Sequence, residues 1–241
     1  MNKKIVVEGL PCAGKTSLAK SIVKECKSYS LVNEIAARLG NGEKFPGNAR
    51  NILDAERINM WFIRKESERI NEAKQLSSVT DVLIDRSFPS HLAYCYAYAI
   101  FNSLDIFDKT YEMYEAALKS ELLELPDVFL YLRIDPSTML KRLASRVYED
   151  KRAILPDFWV NRSYLTHLNK AYDVFFDNIK KYVPTRVIDA NQTHEAVYVE
   201  AKKALEGIQI GRRYINSDRL MICLREILQE DLKDIKWKTK I

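Results

Sequence analysis

Residues 9–16 read Gly-Leu-Pro-Cys-Ala-Gly-Lys-Thr and fit the spacing G-x-x-x-x-G-K-[ST] of a phosphate-binding loop. In such a loop the backbone N–H groups cradle phosphates, Lys15 reaches the β and γ phosphates, and the Thr16 hydroxyl binds Mg²⁺. An apolar run, residues 5–7, precedes the loop and a helical segment follows it, so a helix N-terminus also faces the anion. The pattern predicts a site for a nucleoside triphosphate and Mg²⁺. The residues expected to bind the nucleotide are Gly9, Ala13, Gly14, Lys15, Thr16 and Ser17.

A second charged group, Asp85 and Arg86, directly follows the apolar run 82–84. A carboxylate at that point can hold an acceptor hydroxyl group or a metal-bound water, and a guanidinium can hold a phosphoryl group. We therefore expect Asp85 to act in catalysis and in metal binding. We expect Arg86 to act in catalysis and in substrate binding.

Short apolar segments alternate with long helical segments along the chain. This alternation predicts an α/β fold with a parallel sheet, right-handed crossovers and helices on both faces. Ligands of such folds bind at the carboxyl ends of the strands, which is where both charged groups lie. The predicted strands are 4–7, 30–33, 81–84, 128–134 and 185–188, and further helices are predicted over 49–75, 90–102 and 110–124.

The chain has 241 residues, 47% of them apolar, and this content suffices for one large core. No apolar run approaches the ~20 residues of a membrane span, and the first residues show no signal-peptide pattern. The four cysteines lack a metal-binding spacing, which favours reduced thiols and a cytoplasmic protein. The net charge of +5 suits an anionic substrate, whereas the mixing of basic with acidic residues does not indicate nucleic acid.

The character of the chain changes after Gly207. A basic segment, residues 212–214, leads into residues 220–228, where apolar side chains recur along a charged helix. We predict a main domain of residues 1–207 and a helical C-terminal extension of residues 208–241. The apolar stripe must be buried, either on its own domain or on the second subunit of a homodimer.

The residues that follow the third predicted strand resemble those of a known enzyme family. Thymidylate kinases carry Asp-Arg-Tyr or Asp-Arg-His at this strand end, deoxynucleoside kinases carry Glu-Arg-Ser, and both continue with Ser-x-x-Ala-Tyr. This chain reads Asp-Arg-Ser at 85–87 and Ser-His-Leu-Ala-Tyr at 90–94. From residue 3 to about residue 205 it resembles the thymidylate kinase and deoxynucleoside kinase family of P-loop kinases. The resemblance implies the three-layer P-loop fold, with a five-stranded parallel sheet flanked by helices and a short lid.

The resemblance also implies roles on the acceptor side. Glu34 follows the second strand and is similar to the carboxylate that acts as general base or metal-water ligand in deoxynucleoside kinases. Arg64 stands where thymidylate kinases carry an arginine that holds the acceptor monophosphate. Tyr94, Trp61 and Phe62 are candidates for stacking on the acceptor, with a core position as the alternative for each. A solvated position is the alternative for Arg64, because one residue of helical slip turns a side chain by about 100°.

On the donor side, residues 127–146 resemble the family's fourth strand, its Asp-Pro turn and its arginine-bearing helix. Arg142 and Arg146 are four residues apart and share a helix face, where they would bind the nucleotide, with Arg146 also catalytic. A lid at about 146–154 would follow, in which Arg152 either neutralises charge or stays in solvent. Asn191 lies in a loop that resembles the one packing near the adenine.

Together these residues predict a kinase that transfers the γ-phosphoryl group of ATP, with Mg²⁺, to a nucleoside monophosphate or a deoxynucleoside. Arg64 and Asp85 favour the monophosphate. The phosphate loop lacks the aspartate with which thymidylate kinases usually contact the acceptor sugar, and this argues against thymidylate itself. The alternative from another class is a nucleotide-dependent regulator, in which hydrolysis changes a binding surface.

Overall fold

The computed structural model describes residues 2–40, 42–149 and 157–208, together with residues 225, 228, 229, 232 and 233. Five strands and seven α-helices lie within these segments. The strands are β1 (Lys4–Gly9), β2 (Tyr29–Val32), β3 (Asp81–Asp85), β4 (Val128–Arg133) and β5 (Thr185–Asp189). The helices are α1 (Lys15–Glu25), α2 (Ile52–Leu76), α3 (Phe88–Asn102), α4 (Phe107–Lys119), α5 (Pro136–Glu149), α6 (Arg162–Ile179) and α7 (His194–Glu206).

The five strands form one parallel sheet in the order β2-β3-β1-β4-β5. Strand β1 lies in the centre and pairs with β3 on one side and with β4 on the other. The helices pack in two groups, α1 with α7, and α3 with α4 and α6, while α2 packs on α4. The predicted α/β fold with a five-stranded parallel sheet is confirmed, and the carboxyl ends of β1, β2 and β3 lie side by side.

Strand β1 extends two residues past its predicted end, because Glu8 and Gly9 still pair in register with β4. The backbone of Gly9 has a φ of +146°, and a Cβ atom there would lie 2.4 Å from the carbonyl oxygen of Leu132. Only glycine fits at this distance, so the phosphate loop begins in direct contact with the neighbouring strand.

Two helices show how far the hydrophobic pattern defines the elements. The helix predicted over 110–124 runs over Phe107–Lys119 instead, and it ends early because the chain turns into the left-handed region at Glu121 (φ 58°). Helix α6, in contrast, has a continuous apolar face that is buried in the core. Its residues are Tyr164, Leu165, Leu168 and Tyr172.

Two described residues of the C-terminal extension, Arg225 and Gln229, contact α4. Gln229 Nε2 donates to Asp108 Oδ1 at 2.7 Å, and Arg225 Nη2 lies 3.4 Å from Glu112 Oε1. Two leucines at helical spacing are buried there, Leu228 and Leu232. These contacts place part of the apolar stripe on its own domain.

Part of the lid predicted at about 146–154 lies outside the described residues. Helix α5 runs to Glu149, and residues 150–156, which include Arg152, are not described. Arg146 is described and is exposed on the last turn of α5.

None of the helices in the described segments is long and apolar enough to cross a membrane. No group of three or more His, Cys, Asp or Glu side chains in these segments has the geometry to hold a metal ion. Cys12, Cys26 and Cys95 are free thiols.

Candidate active site

The predicted phosphate loop joins β1 to α1 at the carboxyl edge of the sheet. Gly14 has a left-handed backbone (φ 91°) and forms the N-cap of α1, which begins at Lys15. Ala13 is buried within the loop, and Ser17 is exposed on the first turn of the helix. The N–H groups of a first helical turn have no partner within the helix, so they are available to an anion at the loop.

Lys15 is buried under the loop, with 5% of its surface exposed. Its Nζ donates hydrogen bonds to Gly9 O at 2.9 Å and to Leu10 O at 2.6 Å. Burial lowers the pKa of Lys15, and the nearby positive charge of Arg86 lowers it further. The negative charge of bound phosphate groups would raise the pKa of Lys15 and so oppose both effects.

ATP binding is expected to take up protons near neutral pH. The free enzyme holds Lys15 with a lowered pKa, whereas phosphate charge beside Nζ raises that pKa, so the complex binds more protons than the free enzyme. Affinity for ATP should therefore fall as the pH rises through the lowered pKa. Titration calorimetry in two buffers of different ionisation enthalpy measures the uptake, and Lys15→Met should lose it. Equal binding heats for the wild-type enzyme in both buffers would contradict the expectation.

Asp85 and Thr16 meet beside the loop. Thr16 Oγ1 donates to Asp85 Oδ2 at 2.5 Å, and Asp85 is fully buried. The other carboxylate oxygen, Oδ1, is buried without a hydrogen-bond partner among the described residues. An unpaired buried oxygen is costly, and Mg²⁺ in kinases is held by carboxylate and hydroxyl oxygens. The pair therefore has the oxygen donors that suit a Mg²⁺ ion, and the metal-binding role of both residues stays a prediction.

Arg86 connects the phosphate loop with the end of β2. Its Nε lies 3.2 Å from Glu34 Oε2, which forms an ion pair. Its Nη1 lies 3.3 Å from Gly9 O and donates to the hydroxyl group of Tyr172 at 3.2 Å. The guanidinium carbon lies 5.8 Å from the centre of the Tyr94 ring. The structure thus brings Glu34, Arg86 and Tyr94 together beside the loop.

Glu8 is a buried carboxylate that none of the sequence patterns singles out. It is fully buried, and its Oε1 accepts a hydrogen bond from the Ser87 N–H at 2.7 Å. Its Oε2 accepts one from Ser90 Oγ, also at 2.7 Å. Burial raises the pKa of Glu8, and the Arg86 charge opposes this shift. The signal that could have found it is the carboxylate itself, because a charged residue at the end of an apolar central strand is rarely buried without partners.

Aromatic rings gather along α3. Phe62 of α2 stacks on His91 of α3 with ring centres 3.9 Å apart, and Phe45 stacks with Phe62 at 5.8 Å. Tyr94 stacks with Trp159 at 6.2 Å. Burial lowers the pKa of His91 to about 3, so its ring is neutral at physiological pH. Flat neutral rings of this kind are suited to pack against a nucleobase.

Arg142 links the phosphate loop to the loop that follows β5. Its Nη1 donates to Cys12 O at 3.3 Å, and its Nη2 donates to Gln192 O at 2.8 Å. Asn191 lies in the same loop after β5. Two residues predicted to contact the nucleotide thus lie at one edge of the phosphate loop, whereas Arg146 is exposed one helical turn beyond Arg142.

Arg64 lies on the exposed side of α2. Its charge acts to lower the pKa of Glu43 and the pKa of Lys65, which both lie on the surface. This is the solvated position that the sequence left open as the alternative. The arginine of α2 that reaches the strand ends is Arg69, which is 2% exposed and which no sequence pattern predicts.

A phosphate loop, an oxygen pair that fits Mg²⁺ and a strand-end glutamate paired with an arginine define a P-loop kinase acting on nucleosides or nucleotides. The comparison with protein families identifies which one. The chain belongs to the deoxynucleoside kinase family, whose family model matches residues 5–209. The resemblance read from residues 85–94 is confirmed.

Individual relatives agree with this family. A probable thymidylate kinase from Picrophilus torridus is 28% identical over 208 residues, which cover 83% of this chain and 94% of that protein. A probable thymidylate kinase from Methanococcus aeolicus is 24% identical over 209 residues, covering 85% of this chain and 96% of that protein. Among solved structures, deoxyadenosine kinase from M. mycoides with bound dATP has a TM-score of 0.66 at 19% identity, with 86% of this chain and all of that chain covered.

These findings establish the class of reaction. The chain is a nucleoside or nucleotide kinase that uses ATP to phosphorylate a nucleoside monophosphate or a deoxynucleoside, as predicted. The similarity to the solved structure confirms the three-layer P-loop kinase fold. None of the relatives supports the alternative of a nucleotide-dependent regulator.

Proposed function

We propose that this kinase transfers the γ-phosphoryl group of ATP to a hydroxyl group of a deoxynucleoside. The observation that carries the proposal is the ion pair between Glu34 Oε2 and Arg86 Nε, at 3.2 Å beside the phosphate loop. The Glu34 side chain is 31% exposed, so an acceptor can reach it. A carboxylate there orients the hydroxyl group and accepts its proton, while the adjacent guanidinium neutralises the phosphoryl oxygens.

The donor side of the mechanism rests on the loop residues. The N–H groups at the start of α1 would bind the phosphates, and Lys15 would exchange the carbonyls of Gly9 and Leu10 for phosphate oxygens. Mg²⁺, when bound, supplies charge neutralisation between the β and γ phosphates. Thr16 and Asp85 would hold the ion, and the unpaired Oδ1 of Asp85 supports this assignment.

Three further residues are proposed as nucleotide contacts. Arg142 and Asn191 would contact the nucleotide from the edge of the loop, in keeping with the hydrogen bond from Arg142 to Cys12 O. Arg146 would act on the transferring phosphoryl group only if the last turn of α5 brings it toward the loop, because its side chain is exposed.

The position of Arg64 supports a deoxynucleoside as the acceptor. A monophosphate needs a cation to hold its phosphate, and the residue predicted for this task is exposed on α2, with its charge acting on Glu43 and Lys65. A deoxynucleoside needs a carboxylate near its hydroxyl group, and Glu34 fills that requirement. The fold neighbour named deoxyadenosine kinase points the same way.

Thymidylate or another monophosphate is the second candidate. The curated relatives are named thymidylate kinases, and Asp85 gives this chain the Asp-Arg pair of that group. In this case Arg64 would have to turn toward the acceptor. The first candidate therefore leaves Arg64 in solvent, whereas the second requires Arg64 to contact the acceptor phosphate.

An acceptor screen tests the proposal. The purified full chain is incubated with Mg²⁺–ATP and, in separate reactions, with each deoxynucleoside and each of the corresponding monophosphates, and the products are separated by chromatography. We expect turnover with at least one deoxynucleoside above that of every monophosphate. Turnover with monophosphates alone would overturn the proposal.

Variants of α2 make the screen sharper. Arg64→Ala should leave KM for the acceptor and for ATP unchanged, as should the control Arg57→Ala, because Arg57 is also exposed on α2. If Arg64→Ala instead raises KM for a monophosphate about tenfold or more while KM for ATP stays constant, Arg64 holds an acceptor phosphate. That result would support the second candidate.

A further inference from the structure

Arg69 is a fully buried arginine that binds main-chain atoms at two strand ends. Its Nε donates to Asn33 O at 3.0 Å, after β2. Its Nη2 donates to Asp85 O at 2.7 Å and to Arg86 O at 2.9 Å, at the end of β3. Its Nη1 pairs with Glu66 Oε2 at 2.5 Å, which balances the buried charge.

These carbonyl groups lie where the sheet can no longer bind them. The last residues paired between β2 and β3 are Val32 and Ile84. The carbonyl groups that follow on both strands therefore have no hydrogen-bond partner from this strand pairing. Buried carbonyls without a partner are costly, and one planar guanidinium with several donors can bind them together. Arg69 therefore replaces the missing strand pairing with hydrogen bonds from a helix.

The backbone at Arg86 shows why such support is needed. Its φ of 65° lies in the left-handed region, which residues with a side chain rarely adopt. Its N–H donates to Val7 O at 3.0 Å and its carbonyl accepts from Arg69, while the next N–H, that of Ser87, donates to Glu8. A buried cation thus binds the carbonyl side of this turn and a buried anion binds its amide side.

We infer that Arg69 is a positioning residue for phosphoryl transfer. By binding the carbonyls of Asn33, Asp85 and Arg86, it fixes the backbone from which the side chains of Glu34, Asp85 and Arg86 extend. Arg69 itself is buried and touches none of the reacting groups. The inference rests on the proposed roles of Glu34 and Arg86, and it holds for either class of acceptor.

Substitution of Arg69 should lower kcat much more than it changes binding of ATP. Misplacement of catalytic groups by about 1 Å can cost roughly 10²-fold in rate, so we expect Arg69→Met to lower kcat by about 10- to 100-fold. KM for ATP should change by less than about threefold, because the phosphate loop is held by β1 and α1. Arg69→Lys should lose less than Arg69→Met, since an ammonium group can still bind one or two of the carbonyls.

The matched control is Arg57→Met. Arg57 forms the same type of pair on the same helix, with a carboxylate three residues away, Asp54, at 3.0 Å, but its side chain is 70% exposed. The control should keep wild-type kcat. All variants are compared by circular dichroism and by thermal unfolding, and kcat is measured with whichever acceptor the wild-type enzyme phosphorylates, so a wrong choice of acceptor does not affect the result.

A double-mutant cycle separates positioning from general stability. If Arg69 acts through the turn that carries Arg86, then Arg69→Met should cost little further kcat in an Arg86→Ala background, although its loss of thermal stability persists. Additive losses of kcat would overturn the inference, as would a wild-type kcat for folded Arg69→Met. If Arg69→Met does not fold, the same cycle with Arg69→Lys gives the decision.

Discussion

Replacing Lys15 by alanine should lower phosphoryl transfer by about 10³-fold, the loss expected when a group that stabilises developing charge is removed. The Nζ of Lys15 is held by two carbonyls of the phosphate loop, directly beside the place where phosphates would bind. The fold should survive, because the other buried side chains of β1 and α1, apart from Glu8, are apolar and pack without Lys15. The measurement is kcat for ATP-dependent phosphorylation, with circular dichroism as the check on the fold.

Lys20→Ala is the control for this variant. Lys20 lies on the same helix and is exposed, so its removal changes the net charge equally without touching the loop. It should retain wild-type turnover. If Lys15→Ala also retained wild-type turnover, the phosphate loop would not be the donor site.

Glu34→Gln should lower kcat by about 10²- to 10³-fold, which is the range for removal of a general base. The amide keeps the shape of the side chain, but it cannot accept the proton of the acceptor hydroxyl group. It also removes the negative charge that balances the Arg86 guanidinium at 3.2 Å. KM for ATP should change little, because Glu34 lies at the end of β2 and outside the phosphate loop.

Glu72→Gln provides the matched control. Glu72 is paired with Arg38 at 2.5 Å and is 35% exposed, which resembles the 31% exposure of Glu34, but it lies away from the loop on α2. Its substitution should leave kcat unchanged. Full activity of Glu34→Gln with every acceptor would place the catalytic base elsewhere, and Asp85→Asn would then be the next variant to measure.

The elements of the fold could be predicted because their hydrophobic patterns are local. Each of the five strands is a short apolar run, and the structure places every one within two residues of its predicted bounds. The phosphate loop could also be predicted, because its residue spacing reflects backbone geometry within eight consecutive residues. The proximity of Glu34 and Arg86 in the structure has a simple cause, because parallel pairing brings the carboxyl ends of β2 and β3 to one edge of the sheet.

Other features of the site cannot be predicted from the sequence, because they depend on contacts between residues that are distant in the chain. Arg64 and Arg69 are both arginines of α2. They point to different sides of the helix, and for this reason Arg64 is exposed and Arg69 is buried. No local pattern identifies Glu8, because its partners, Ser87 and Ser90, lie about eighty positions away in the chain. The spacing of the loop also does not predict the burial of Lys15, because that burial depends on the carbonyl groups of Gly9 and Leu10, which accept from its Nζ.

The central place of β1 has a consequence for synthesis of the protein. β1 leaves the ribosome first, but its two neighbours begin only at Asp81 and Val128. At translation rates of about 5–20 residues per second, the nascent chain carries this apolar strand with open edges for on the order of ten seconds before β3 exists. Chains that terminate before β4 keep one edge of β1 uncovered and are exposed to aggregation, so chaperones that bind short apolar segments should recognise residues 5–7 during translation.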